Sequence, residues 1–154
     1  MDRQALTCRP VTPQHGGFPD LAREARLEGW AFVDRLHRDW TEGSNRFDRD
    51  GEYFLGICKD GTLLAIGGLN RDPYAGDAST GRVRHVYVRP NWRRAGLATL
   101  LIRELLSRGR PAFERVRLRT SNPRARRLYE KLGFRPVEAP NATHVFSFDP
   151  DTRS

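Results

Sequence analysis

The segment that most constrains this chain runs from Arg82 to Ser107. It sets a β-type run, a short basic loop and a helical run end to end. Val83, Val86 and Val88 favour a strand, and Pro90 ends it because proline has no N–H for a ladder. Leu97, Leu101 and Leu105 recur at helical spacing and share one face, which predicts a helix from about Gly96 to Ser107 with Gly109 as its stop. The step from Val83 to Val86 is odd, whereas the side-chain period of a strand is two. A β-bulge near Arg84 or His85 restores the alternation.

The rest of the chain supplies partners for that segment. Residues 5–12 alternate weakly and predict a first strand, placed near an edge by Pro10. From Asp20 to Trp40 the period is helical, and Gly29 divides the stretch into two helices. Tyr53–Cys58 and Leu63–Leu69 flank Lys59-Asp60-Gly61, a hairpin signal. Asn70–Gly81 reads as a turn-rich loop and Phe113–Arg119 as a strand. Asn122 as N-cap and Pro123 at the first helical position open a short helix that ends at Gly133. Thr143–Phe148 is the last strand read. The class is mixed α/β (α+β), and no repeat or linker divides it. One domain over residues 1–154, with a core at about 5–148, is the expectation.

The longest apolar run, Leu63–Leu69, is far too short to span a bilayer, and the first ten residues have no apolar stretch of the signal-peptide kind. A cytoplasmic location and no membrane partner are expected. Cys8 and Cys58 read as reduced thiols, and the four histidines are scattered, so no metal is expected.

The formal charge is +8, with 25 Arg and only 2 Lys. Its distribution says more than its total. Residues 82–135 hold 16 basic and 3 acidic residues, a balance of +13, while the remainder stands at −5. One half is built for an anion. Helix-turn-helix, zinc-finger and RNP motifs are all missing, so nucleic acid is not the expected partner. The loop itself names the anion's chemistry. Free N–H groups at a helix start bind phosphate, Gly96 lets it approach the backbone, Ala98 keeps the first turn narrow, and Arg93 and Arg94 add attraction. On that chemistry the loop is a pyrophosphate cradle, and a basic loop that simply connects strand to helix is the other reading; no G-x-G-x-x-G follows the first strand and no Walker motif occurs.

Arg93-x-x-Gly96-x-Ala98 resembles the [RQ]-x-x-G-x-[GA] signature of the GNAT superfamily of acyl-CoA-dependent N-acetyltransferases. Val86-Tyr87-Val88-x-Pro90 is similar to the stretch that precedes it there. Leu118-Arg119-Thr120-x-Asn122, Ala125, Leu128-Tyr129 and Leu132-Gly133-Phe134 resemble the later part of the family pattern. Residues 67–74 and Ala142-Thr143-His144 look like a bacterial subgroup of it.

The resemblance implies a GNAT fold: a mostly antiparallel sheet of six to seven strands, a splayed parallel pair, and about four flanking helices. It implies acetyl-CoA as co-substrate, held between strands 82–89 and 113–119. Main-chain groups of the Val86-Tyr87-Val88 strand would pair with the pantetheine arm as an added strand. The Arg93–Thr99 segment, with amides from Arg94, Ala95, Gly96, Leu97, Ala98 and Thr99, would hold the pyrophosphate. Asn122 would bond the pantetheine arm, and it is equally natural as a plain N-cap. Tyr129, two helical turns further on, would protonate the leaving thiolate. Many members carry a Glu four residues before the Val86 position, where this chain has Arg82. His85 is the nearest titratable substitute as base, His144 the second, and loss of the amine's proton through ordered water is the third course. Trp30, Phe32 and Trp40 fall in the acceptor region, where core packing is the competing reading. Asn70, Asp72 and His144 are further acceptor-side candidates, and Asp72, Asp77 or Glu52 could attract a cationic amine. The implied activity is acetyl transfer to a small-molecule or peptide amine in a ternary complex, with a homodimer as the common family state. The alternative is a non-catalytic acyl-CoA sensor or partner domain.

Overall fold

The computed structural model describes residues 6–148. Within these residues seven strands form one sheet in the order β1-β2-β3-β4-β5-β7-β6. They are β1 (Leu6–Pro10), β2 (Tyr53–Lys59), β3 (Thr62–Arg71), β4 (Thr80–Val88), β5 (Arg115–Leu118), β6 (Arg135–Ala139) and β7 (Ala142–Ser147). Four α-helices among the described residues flank them: α1 (Phe18–Leu27), α2 (Phe32–Glu42), α3 (Leu97–Gly109) and α4 (Pro123–Lys131). Of the neighbouring pairs in this sheet, β4 and β5 run parallel and the others antiparallel.

Both sheet faces are covered, which is why β3 is buried along nearly its whole length. On one face Leu101 and Leu105 of α3 pack with Leu69, Val83, Phe113 and Val116. On the other, Leu21 and Ala25 of α1 and Val33 and Leu36 of α2 pack with Ile66 and Tyr87. Trp40 stacks on Phe47 and meets Phe54 at a tilt, with ring centroids 6.4 and 6.0 Å away, so of the two readings open to it core packing holds.

The bulge lies where the broken period placed it. Ile66 faces Tyr87 and Gly68 faces Arg84, so two steps on β3 oppose three on β4. His85 takes up the extra residue at φ +60°, a left-handed conformation that histidine tolerates better than most side chains. Asn122 caps α4, accepting from the N–H groups of Arg124 and Ala125 at 2.9 and 3.3 Å. Pro10 sits on an edge strand, as expected.

Three details differ from the sequence reading. β3 runs on to Arg71 and β4 begins at Thr80, so the loop between them is shorter than 70–81. β6 has no counterpart in the sequence reading; its exposed Arg135, Pro136 and Glu138 carry no apolar alternation, as befits an edge. Gly109 is the last residue of α3 rather than a stop beyond it, and packing, not a special backbone conformation, calls for glycine there. The next residue stays right-handed, and a Cβ on Gly109 would lie 2.3 Å from Leu69 Cδ2.

Candidate functional site

The parallel pairing of β4 and β5 lasts only from Thr80↔Arg115 to Arg82↔Arg117. β4 then continues to Val88 without β5 beside it. Arg89 donates its N–H to Leu64 O on β3, so by alternation the main-chain groups of Val88 and Val86 turn toward the open side. The gap is a cavity of about 860 Å³. It is lined by the strand Val83–Val88, the start of α3, Leu118–Thr120 and one face of α4, with Glu28, Trp30 and Phe32 at the α1–α2 end.

Every residue expected to hold the co-substrate lines this cavity except Ala95, which packs against the core. Gly96 is left-handed at φ +79°, and a Cβ there would meet nothing within 4 Å. Among the described residues no side chain caps α3, so its first N–H groups remain available. Arg94 is exposed at the mouth with φ +67°. Arg93 is different: it is already engaged. Its Nη1 and Nη2 donate to Glu28 at 2.8 and 2.6 Å, and its Nε donates to Val88 O at 2.9 Å. Tyr87 Oη also donates to Glu28. These bonds, Arg93's foremost, hold the Glu28 carboxyl below its ordinary range. Arg93 thus straps the basic loop to the end of α1. Sequence reasoning did not single out Glu28, because its partner lies 65 residues away.

Tyr129 lies buried on α4, its ring edge-on to Phe134 with centroids 5.5 Å apart, and it lines the cavity. Burial pushes its phenol up to about 12, so the proton stays on at neutral pH. His85 also lines the cavity. Its ring stacks on Phe32 at 5.5 Å and meets Phe47 edge-on at 6.1 Å, and its Nε2 is buried with no partner among the described residues. Burial, then the charges of Arg84 and Arg35, push it down to about 3, so the imidazole is neutral near pH 7. Trp30 stands at the cavity mouth, partly exposed.

Asn70, Asp72 and His144 do not line this cavity. His144 is fully buried on β7, with Nε2 2.8 Å from Glu130 Oε2 of α4 and Nδ1 2.9 Å from Thr143 Oγ1. It braces α4 from behind. Asn70 lines a separate polar cavity of about 150 Å³, where its Oδ1 and Asn45 Nδ2 are buried without partners among the described residues. Asp72 is the centre of an ion network. Its Oδ2 accepts from Arg117 Nε at 2.9 Å and from Arg82 Nη1 at 3.4 Å, and its Oδ1 accepts from the Tyr74 N–H at 2.8 Å. The guanidinium of Arg82 also lies over the Tyr74 ring, 5.1 Å from its centroid. The position where a carboxylate base would stand is therefore the arginine end of a buried ion pair.

No three His, Cys, Asp or Glu side chains come together as a metal site among the described residues, and no helix there is long and apolar enough to cross a membrane. What fold and cavity define is a mixed α/β protein with a splayed parallel strand pair, a helix N-terminus across the opening, and a proton-holding tyrosine inside. A model of the Acetyltransferase (GNAT) family matches residues 18–134, and the chain belongs to that family. A candidate acetyltransferase from Exiguobacterium sp. 255-15 is 31% identical over 96% of this chain and 94% of its own, with a TM-score of 0.80. Two more distant structures share the fold. The PaiA N-acetyltransferase of Thermoplasma acidophilum, solved with coenzyme A, is 16% identical over 93% of this chain and 99% of its own, at a TM-score of 0.65. The candidate acetyltransferase yncA of Salmonella typhimurium, solved with its cofactor acetyl-CoA, is 16% identical over 95% of each chain, at a TM-score of 0.69.

Proposed function

We propose that this protein transfers an acetyl group from acetyl-CoA to a primary amine, by direct attack within a ternary complex. The observation that carries the reading is the meeting, in one cavity, of the uncapped start of α3 and the phenol of Tyr129. The cavity suits acetyl-CoA in kind. It is of ligand size, its mouth has free N–H groups with open space at Gly96, and its wall is a strand edge with no strand beside it.

Acetyl-CoA, when bound, supplies a thioester carbonyl and a thiolate leaving group. The N–H groups from Arg94 to Thr99 hold the pyrophosphate, and Val86 and Val88 bond the pantetheine amides as a strand would. Asn122 reaches the same arm while capping α4. A β4 N–H near Val86 steadies the oxyanion as the amine nitrogen bonds to the acetyl carbon. As the carbon–sulfur bond breaks, Tyr129 gives its proton to sulfur and regains one, through water, from the new amide nitrogen. His85 is too weak a base at about 3 to take a proton from an ammonium group. We assign it to the cavity wall, and assign amine deprotonation to water. The positive charges that depress His85 disfavour an ammonium at the same end.

The test is thiol release from acetyl-CoA over a panel of amines. Tyr129→Phe should lower kcat by roughly 100-fold or more while acetyl-CoA still raises the melting temperature. Equal rates would remove Tyr129 from the chemistry. The buried Arg82–Asp72 pair, standing where a base is usual, favours a second reading: a non-catalytic acyl-CoA sensor. That reading requires the thermal shift without turnover of any amine.

A further inference from the structure

By composition alone, the balance of −5 outside residues 82–135 favours a cationic amine, with Asp72, Asp77 and Glu52 free to attract it. The placed side chains reverse that suggestion. Asp72 is held by Arg82 and Arg117. Glu52 accepts the N–H groups of Arg49 and Arg71 at 3.1 and 2.8 Å. Asp77 accepts from Ser79 and pairs with Arg115 at 3.6 Å. Each of the three carboxylates thus has a partner already.

At the α1–α2 end of the cavity the Glu28 carboxylate is taken up by Arg93 and Tyr87, and the charge left without an ion pair there is positive. Arg84 lines the cavity beside Phe32 and His85. It opposes Gly68, whose absent Cβ would point at Phe47, so the Arg84 side chain leaves the sheet on the same side as α2. Among the described residues it makes no side-chain hydrogen bond and no ion pair. Its surroundings explain the cost of that. Burial and the charge of Arg82, with a smaller contribution from Arg35, lower its affinity for a proton, and Tyr74 and Asp39 offset this only in part. Val86, whose backbone lies by the reacting carbonyl in the proposed mechanism, is two residues along β4, across the His85 bulge, and lines the same cavity. A half-buried guanidinium in the cavity wall, without a hydrogen bond or ion pair among the described residues, has a fork of donors shaped for a planar oxyanion.

We propose that the acceptor is a primary amine that also carries an oxyanion, a carboxylate or a phosphate, which pairs with Arg84 at the splay of β4. The inference rests on the acetyl-transfer reading and specifies its substrate class. Arg84 selects the acceptor, and Trp30 and Phe32 supply an apolar wall beside the selected group.

The experiment compares matched amines on the full chain, by thiol release and by calorimetric binding in the presence of CoA. The pairs are phenylalanine against phenylalaninamide and O-phosphoethanolamine against ethanolamine, with spermidine as a polycation. The first pair reads carboxylate and the second phosphate. Wild type should favour the anionic member of at least one pair by about tenfold or more in kcat/KM and in affinity. Arg84→Gln should collapse that ratio by about tenfold or more, Arg84→Lys should restore part of it, and Arg84→Glu should turn the preference toward spermidine. Acetyl-CoA should stabilise all three variants against heat as it does wild type, which separates loss of selection from loss of fold. If wild type uses the neutral amines or spermidine as well as the anionic ones, or if the ratio survives Arg84→Gln, the inference is overturned. If no amine is acetylated, the acetyl-transfer reading fails by itself, and the calorimetric ratio still decides the inference. Binding of neither anionic amine overturns it.

Discussion

His85 should make this protein sensitive to mild acid, and the size of the effect follows from its placement. Its ring is packed between Phe32 and Phe47 with a buried Nε2 that has no partner among the described residues, and its pKa is pushed down to about 3. In the unfolded chain it titrates near 6.5. Above that value neither state binds the proton, and the contribution of His85 to stability is whole. As pH falls below it, the unfolded chain takes up a proton that the folded chain refuses, so stability drains between about 6.5 and 3. At pH 5 the linkage amounts to about 2 kcal/mol relative to pH 7. The fitting replacement is His85→Asn, because asparagine also tolerates the left-handed φ of +60° at this position and does not titrate. Urea unfolding of wild type and His85→Asn at pH 7 and pH 5, at equal ionic strength, isolates the linkage from other acid-sensitive groups. The stability difference between the two proteins should shift by about 2 kcal/mol in favour of the variant on going to pH 5. A shift below about 0.5 kcal/mol would refute the reasoning, since it would mean that His85 takes its proton in the folded protein.

Two further substitutions test the frame around the cavity. Asp72→Asn removes the negative charge between Arg82 and Arg117 in a side chain that is 0% exposed, and should cost about 3–5 kcal/mol in urea unfolding; a loss under about 1 kcal/mol would mean that the arginines find water instead. Gly109→Ala places a Cβ 2.3 Å from Leu69 Cδ2, and should lower stability by about 1–3 kcal/mol although alanine is the better helix former; a gain in melting temperature would show that glycine is not needed there for close packing.

Much of the fold was legible because its signals are local. The odd step from Val83 to Val86 announced the bulge, since a period of two cannot be kept otherwise. Asn122-Pro123 announced a helix start, and the hairpin around Asp60-Gly61 announced itself by composition. β6 was not legible as a strand, because an exposed edge strand with Pro136 has no buried face to impose alternation. Most cavity residues were legible for the same local reason. The α3 start and the strand before it are contiguous in sequence, and Tyr129 follows Asn122 on one helix face.

What the sequence determined by itself was this set of elements, their order and the anion-binding loop: each depends on neighbours a few residues apart. The tertiary structure alone decided which charges are free. Asp72 is neutralised by an arginine 45 residues on, and Glu28 is joined to Arg93 across 65 residues. Composition sums charges without knowing their partners, so it pointed to an acidic acceptor side. Pairing in three dimensions removes those carboxylates from the count and leaves Arg84, among the described residues, without an ion pair in a half-buried position, where the low polarity of the surroundings gives an unpaired charge its weight.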